Sequence, residues 1–159
     1  MDGARRDELI TRYRGGPAVV EHVVAGLADE ELDHVPADGG WSARAVIHHL
    51  ADSEMMSAAR LRLLLAEDAP VIQGYDEEEL ARRLHYDTRP LRPSLAALRA
   101  TRESTAAILD VLSEEDWGRS GAHTEGGNYS VERWLEIYAE HAHDHAGQIE
   151  RAVAEARGS

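Results

Sequence analysis

The sequence predicts an all-α fold, a four-helix bundle with a long crossover loop that carries a short extra helix. Apolar residues recur at helical spacing along most of the chain, whereas the strict alternation of a half-buried strand is scarce. The composition is rich in alanine, leucine, glutamate and arginine, which favour helices. A chain of 159 residues has the size of one domain, so we expect a single bundle over residues 1–159.

The first two long helices are separated by turn-forming residues. The first helix should cover about residues 5–27, and the stretch Gly15-Gly16-Pro17 should kink or split it. The second should begin after Ser42, a favourable N-cap, and end at the segment "EDAPVIQGYDEE". This segment starts the crossover, in which residues 76–84 are expected to form the short extra helix.

Two further long helices complete the predicted bundle. Pro90 and Pro93 introduce the third helix, expected at about residues 94–112. The polar, glycine-rich stretch "GRSGAHTEGGNY" then forms a loop. The fourth helix should begin after a Ser130 cap and run to about Ala156, stopping before the glycine at position 158.

The composition excludes several classes of protein. Thirty acidic residues against seventeen basic ones give a net charge of −13, and such a surface repels nucleic acid. The chain has no cysteine, which excludes disulfides, thiolate metal sites and a cysteine nucleophile. It has no apolar run long enough for a membrane span and no signal-peptide pattern at its start. We therefore expect a soluble cytoplasmic protein that binds neither nucleic acid nor membrane.

The fourth helix carries histidines where apolar residues would be expected. In "EHAHDHAGQI", which begins at Glu140, His141 and His145 lie one turn apart on the inward face, and His143 should point to solvent. Burying an imidazole without a partner costs about 1–3 kcal/mol, so something must satisfy these rings. Two histidines at this spacing can bind one metal ion, but core histidines satisfied by a carbonyl or carboxylate fit the spacing as well.

A third ligand could come from the second helix. The stretch "VIHHLADSE" offers His48 and His49, and His49 lies nearer the edge of the apolar face. Helical bundles build metal sites from side chains on facing helices, so one histidine here and two on the fourth helix are compatible. The helical pattern alone favours His49 only slightly over His48 as the third ligand.

Five motifs carry a resemblance to a known family. "WSARAVIHHLADSE" and "YAEHAHDHAGQI" resemble the second-helix and last-helix signatures of the DinB/YfiT-like superfamily of metal-dependent enzymes. "RYRGGP", "EDAPVIQGYDEE" and "EDWGRSGAHTEGGNYS" match in the same order and are most similar to the YfiT-like branch. The resemblance implies that His49, His141 and His145 bind the metal, and that His48 and His143 do not.

Three further residues are candidates for supporting roles. Asp52 lies one turn beyond His49 and could accept its free ring N–H. Gln148 follows His145 by about one turn and could bond a ligand or the substrate. His123, in the loop before the fourth helix, is the candidate acid or base, or a fourth ligand.

The sequence is compatible with three functions for this site. Three neutral nitrogen ligands form an open site that is typical of catalytic zinc and also suits nickel. Metal-activated water would make the protein a hydrolase acting on a small molecule, the function that the resemblance favours. A bacillithiol- or mycothiol-like thiol at the same position would make it an S-transferase. A bundle with a purely structural ion is the third reading, and the resemblance also implies a homodimer.

Overall fold

Helices form most of the computed structural model, which describes residues 1–158. Ser159, the last residue of the predicted domain, lies outside the described residues. The all-α four-helix bundle is confirmed, and a short helix lies in the crossover as predicted. The four long helices are α1 (Gly3–Val24), α3 (Ala43–Ala66), α5 (Leu91–Leu109) and α7 (Val131–Gly158), and the short ones are α2 (Asp29–Asp33), α4 (Glu77–Arg83) and α6 (Glu114–Trp117).

The long helices pack in a ring. Helices α1 and α3 each contact both α5 and α7, so α1 lies diagonally opposite α3. The Ser42 side chain accepts a hydrogen bond from the Ala45 N–H at the start of α3, as expected of an N-cap. Within residues 1–158, none of the helices is long and apolar enough to cross a membrane.

Helix α1 corrects the expectation of a split at Gly15-Gly16-Pro17. Pro17 has no N–H to donate to the Tyr13 carbonyl four residues earlier, yet the helix runs through it. That carbonyl accepts instead from Nη1 of Arg102, at 2.6 Å. Gly16 makes this approach possible, because a Cβ there would lie only 2.2 Å from the same nitrogen. A tertiary contact thus replaces the missing helical hydrogen bond.

The ends of two other helices also differ from the expectation. Helix α5 begins at Leu91 rather than near residue 94, with Pro93 in its first turn. Proline is tolerated there because the first N–H groups of a helix have no intrahelical partner. The same helix ends at Leu109 rather than near residue 112, and α7 includes Gly158 instead of stopping before it.

A small sheet replaces two of the expected loops. Strand β2 (Ser120–His123) pairs antiparallel with β3 (Gly127–Ser130), and β1 (Val71–Ile72), from the crossover, pairs in parallel with β2. Strands of two to four residues are too short to show an alternating pattern. The Gly126-Gly127 pair was a usable hairpin signal, since Gly127 adopts a positive φ of 73° in the turn.

The core consists of two apolar clusters separated by a layer of polar residues. One cluster surrounds Trp134 and the other surrounds Leu50 and Ile149. Each long helix places a polar or small residue at the same level between them. We call this level the polar layer; it contains Gly16 of α1, Asp52, Ser53 and Glu54 of α3, Arg102 of α5 and His141 of α7.

Candidate metal centre

The histidine cluster is formed by His49 of α3 and by His141 and His145 of α7. One nitrogen from each ring can be chosen so that all three lie within 4.8 Å of one another. His49 is buried, and the other two rings are half-buried. The helical period places His141 and His145 one turn apart on the face of α7 that packs against α3, so the two chain segments meet as the sequence predicted.

The geometry and the donor set of the cluster fit a divalent metal ion. The Nε2 atoms of His49 and His141 are 3.3 Å apart. Two imidazoles bound to a tetrahedral zinc ion at about 2.0–2.1 Å have nitrogens about 3.3–3.4 Å apart. In addition, Nδ1 of His141 is the one buried side-chain nitrogen or oxygen in residues 1–158 that has no hydrogen-bond partner. The protein by itself therefore leaves this ring incompletely satisfied.

The electrostatic environment keeps two of these imidazoles, those of His49 and His141, neutral. Burial lowers the pKa of His141 to about 2, and the neighbouring His145 and His49 contribute to the shift. Burial and then His145 lower the pKa of His49 to about 4. Within the described chain, none of the three rings forms an ion pair with a carboxylate. Neutral imidazole is the form that coordinates a metal ion.

Two contacts orient the rings of the cluster. Nδ1 of His145 lies 2.7 Å from Oε1 of Gln148, so the ring donates its Nδ1–H to the amide oxygen and its Nε2 keeps a lone pair. Gln148 thus contacts a ring of the cluster, and its supporting role in metal or substrate binding stays a prediction. The indole of Trp41 packs against His49, with ring centroids 5.0 Å apart. Both contacts limit the rotation of a potential ligand.

Asp52 does not form the expected hydrogen bond to His49. Its Oδ2 atom accepts from Nη2 of Arg89 at 2.9 Å, and the Tyr86 hydroxyl also bonds the carboxylate. These partners come from the crossover and hold Asp52 beside the cluster rather than on it. The negative charge still acts on His49, whose pKa it raises against the larger effect of burial.

The other two histidines near the cluster have partners of their own. His48 is fully buried and bonds the Ser94 hydroxyl at 2.8 Å and the Arg89 carbonyl at 2.9 Å. His143 is half-buried rather than solvated, because its Nε2 lies 3.0 Å from the Arg12 carbonyl of α1. Both rings lie outside the cluster, in agreement with the sequence prediction.

A cavity of about 480 Å³ opens beside the cluster. It is bounded by α3, the crossover, the β2–β3 hairpin and α7, and His141 contributes to its wall. His123 lines the same cavity from β2, so it shares this space with His141 of the cluster. The Glu125 N–H donates to Nδ1 of His123 at 3.2 Å, which leaves the ring proton of the neutral form on Nε2.

Sequence reasoning missed the buried charges next to the cluster. Arg102 and Glu54 are each 1% exposed and form an ion pair of 2.7 Å, and Arg60 lines the cavity. A signal was present, because Arg102 continues the four-residue spacing of Leu98 within the apolar face of α5. A charged residue at a core position of this kind indicates a buried partner.

A four-helix bundle that brings three imidazoles together beside a cavity defines this chain as a helical-bundle protein with a candidate metal centre. The chain is a member of the DinB superfamily, whose family model matches residues 12–149. A relative from Oceanobacillus iheyensis, named "putative metal-dependent hydrolase", is 37% identical over 143 residues, which are 90% of this chain and 83% of the relative. YfiT of Bacillus subtilis, with the same description, is 33% identical over 91% of this chain and 82% of its own.

The fold also matches a solved structure. YfiT from Bacillus subtilis, described as a probable metal-dependent hydrolase with an unusual four-helix bundle topology, superimposes with a TM-score of 0.91 at 31% identity. The match covers 98% of this chain and 89% of YfiT. The family resemblance stated from the five motifs is thereby confirmed.

Proposed function

We propose that this protein is a metal-dependent hydrolase and that His49, His141 and His145 hold the ion. The observation that carries the proposal is the convergence of three imidazoles within 4.8 Å beside a cavity that can admit a small molecule. The descriptions of the related proteins from Oceanobacillus iheyensis and Bacillus subtilis support it. Three nitrogen ligands favour Zn²⁺, with Ni²⁺ as the second candidate.

The protein contributes position, neutrality and shape to this chemistry. When bound, a divalent ion supplies Lewis acidity, which lowers the pKa of a coordinated water and polarises a substrate carbonyl. The imidazoles of His49 and His141 have depressed pKa values, so they bind such an ion without first losing protons near neutral pH. Gln148 holds the His145 ring in the tautomer that leaves Nε2 free. A three-ligand set also leaves room for an exchangeable ligand, as catalytic zinc sites do.

His123 is proposed to donate a hydrogen bond to the substrate oxygen that gains negative charge in the reaction. Its Nδ1 accepts from the Glu125 backbone, so its Nε2–H is the group available to a molecule in the cavity. In this tautomer Nε2 offers no free lone pair, which favours the role of hydrogen-bond donor over that of a fourth ligand. Replacing His123 with Ala should lower kcat by about 10²–10³-fold, the range for loss of one donor to a developing oxyanion, with metal content unchanged.

The test of the proposed reaction compares turnover with and without an added thiol. Zinc-loaded protein is incubated with p-nitrophenyl esters and, in a second series, with monobromobimane, each in the presence and absence of a low-molecular-weight thiol. Ester turnover that needs no thiol, and that is lost in His141→Ala but kept in His143→Ala, would support hydrolysis. His143 is a matched control because it lies on the same helix and outside the cluster.

Other outcomes would replace the proposal. Turnover that requires the thiol and yields a thioether would identify a thiol S-transferase at the same residues. No turnover over a broad panel, together with unfolding of the protein on metal removal, would identify a structural ion. A cytoplasmic homodimer is proposed as well, and a solution mass that stays near 17.5 kDa over a range of concentrations would refute the dimer.

A further inference from the structure

The cavity beside the histidine cluster contains an arginine that has no carboxylate partner among the described residues. Arg60 of α3 is half-buried and lines the cavity together with His141. Within residues 1–158, it forms no ion pair. The half-buried Arg44 and Arg89 and the buried Arg102 are paired with carboxylates, whereas Arg60 lines the cavity without one among these residues.

Neutral contacts hold the Arg60 guanidinium in place. Nη2 donates to the Gln73 carbonyl at 2.5 Å, and Nη1 donates to the Tyr138 hydroxyl at 3.3 Å. The guanidinium carbon lies 5.1 Å from the centre of the Tyr75 ring. A guanidinium has five N–H groups, so these contacts fix its position without using all of its donors. The positive charge also remains unneutralised.

Tyr138 connects this cation to the histidine cluster. Its hydroxyl meets Arg60, and its ring centroid lies 5.6 Å from that of His141. Arg60 therefore stands about one tyrosine side chain away from the cluster, across the same cavity. A small molecule could contact the histidines at one end and Arg60 at the other.

The charges around the cavity select the kind of anion. Glu77, Glu125 and Arg133 also line it. Arg133 is paired with Glu136, so the two carboxylates would repel a doubly charged phosphate group more strongly than a singly charged carboxylate. One guanidinium can neutralise a single negative charge, and its planar fork matches the two oxygens of a carboxylate. In a protein of net charge −13, an unpaired cation inside a cavity is an attractive position for such a group.

We propose that Arg60 binds the carboxylate of the substrate, and that this protein acts on small carboxylic acids. The inference rests on the proposed function only in placing the reacting group of the substrate at the histidine cluster. Arg60 is a specificity residue in this arrangement. It fixes the end of the molecule that does not react.

The test measures binding of matched acid and amide probes to zinc-loaded protein by calorimetry. The probes are the monohydroxamates of succinic, glutaric and adipic acid and the corresponding compounds with a terminal amide. The hydroxamate is the metal-seeking end, and the three chain lengths sample the distance to Arg60. We expect one acid to bind at least about 10-fold more tightly than its amide, since hydrogen bonds between charged groups are the strong ones.

Variants assign this preference to Arg60. In Arg60→Gln the acid and the amide should bind within about 2-fold of each other, with metal content and amide affinity unchanged, and Arg60→Lys should keep part of the preference. Arg62→Gln is the matched control, because Arg62 is also half-buried on α3 and has no carboxylate partner in the part of the chain that the structure describes. Its guanidinium contacts Ser104 and Thr105 of α5 instead. It should keep the full preference.

The outcomes separate this inference from the proposed function. Equal binding of acid and amide to wild-type protein would overturn the inference and leave the metal centre intact. If neither hydroxamate binds, the open metal site fails, and glutarate titrated into metal-free protein then decides the inference. Glutarate binding that Arg60→Gln weakens would support it, and absence of binding would refute it.

Discussion

Two polar clusters lie side by side in the polar layer of the bundle and differ in how their groups are satisfied. The arginine cluster consists of Tyr13, Glu54 and Arg102, from α1, α3 and α5. Arg102 donates to Glu54 at 2.7 Å and to the carbonyls of Tyr13 and Tyr138 at 2.6 and 2.9 Å. The Tyr13 hydroxyl donates to the other Glu54 oxygen, and burial raises the pKa of this phenol, which stays protonated.

The histidine cluster uses the same layer in a different way. Its three rings face one another, and Nδ1 of His141 has no partner within residues 1–158. The arginine cluster is complete within the chain and joins all four long helices, since Tyr138 belongs to α7. The comparison indicates that one cluster stabilises the bundle and that the other is left open for a ligand.

The first prediction concerns the buried ion pair. Arg102→Met should lower the free energy of unfolding by about 3–5 kcal/mol, because it leaves the Glu54 carboxylate buried without a counter-charge. Urea denaturation followed by circular dichroism measures the change. The double variant Glu54→Leu/Arg102→Met should recover part of the loss, since no charge is then unpaired.

Arg99→Met is the matched control for this variant. Arg99 lies on the same helix and forms an exposed pair with Glu21, so its loss should leave the stability nearly unchanged. An Arg102 variant no less stable than the Arg99 control would contradict a structural role for the arginine cluster.

The second prediction concerns the proposed ligands. His49→Ala, His141→Ala and His145→Ala should each weaken metal binding by more than about 100-fold, since loss of a supporting contact alone typically costs 10–100-fold. Elemental analysis of the purified variants checks this. His143→Ala should keep the wild-type metal content, because its ring bonds Arg12 instead. Equal loss of metal in His143→Ala and in the three ligand variants would contradict the assignment of the ligands from the faces of their helices.

The third prediction concerns the orientation of His145. Gln148→Leu removes the acceptor of the Nδ1–H and should weaken metal binding by about 10–100-fold. Titration with zinc can be followed through the fluorescence of Trp41, which packs against His49. Gln148→Glu keeps an acceptor and should retain binding. Wild-type affinity in Gln148→Leu would show that the amide does not orient the ring.

The smallest effects are expected from two adjacent glycines of α1. Gly16→Ala should destabilise the protein by about 1–3 kcal/mol, because the added Cβ would lie 2.2 Å from Nη1 of Arg102 and 2.8 Å from Cβ of Ala142. Gly15→Ala meets no atom within 4 Å and should stabilise the helix by about 0.5–1 kcal/mol. Thermal unfolding of both variants measures the two changes in stability, which should have opposite signs. Changes of the same sign would refute the close approach of Arg102 to Gly16.

Structural features that depend on local periodicity could be predicted from the sequence alone. The long helices, the Ser42 cap, the crossover helix and the inward positions of His141 and His145 all follow from spacing within one segment. The family motifs added His49. The short strands were not predicted, because two to four residues are too few to show an alternating pattern.

The partner of each buried polar group depends on the tertiary structure. The Arg102 guanidinium meets the Tyr13 carbonyl across 89 residues of sequence, and this contact explains why α1 continues through Pro17. Contacts between distant segments also pair the Asp52 carboxylate with Arg89. Within residues 1–158, they leave Arg60 in the cavity without an ion pair. Periodicity reports the face of a helix on which a residue lies, but a buried hydrogen bond or ion pair depends on what the facing helix places opposite, and local sequence does not contain that information.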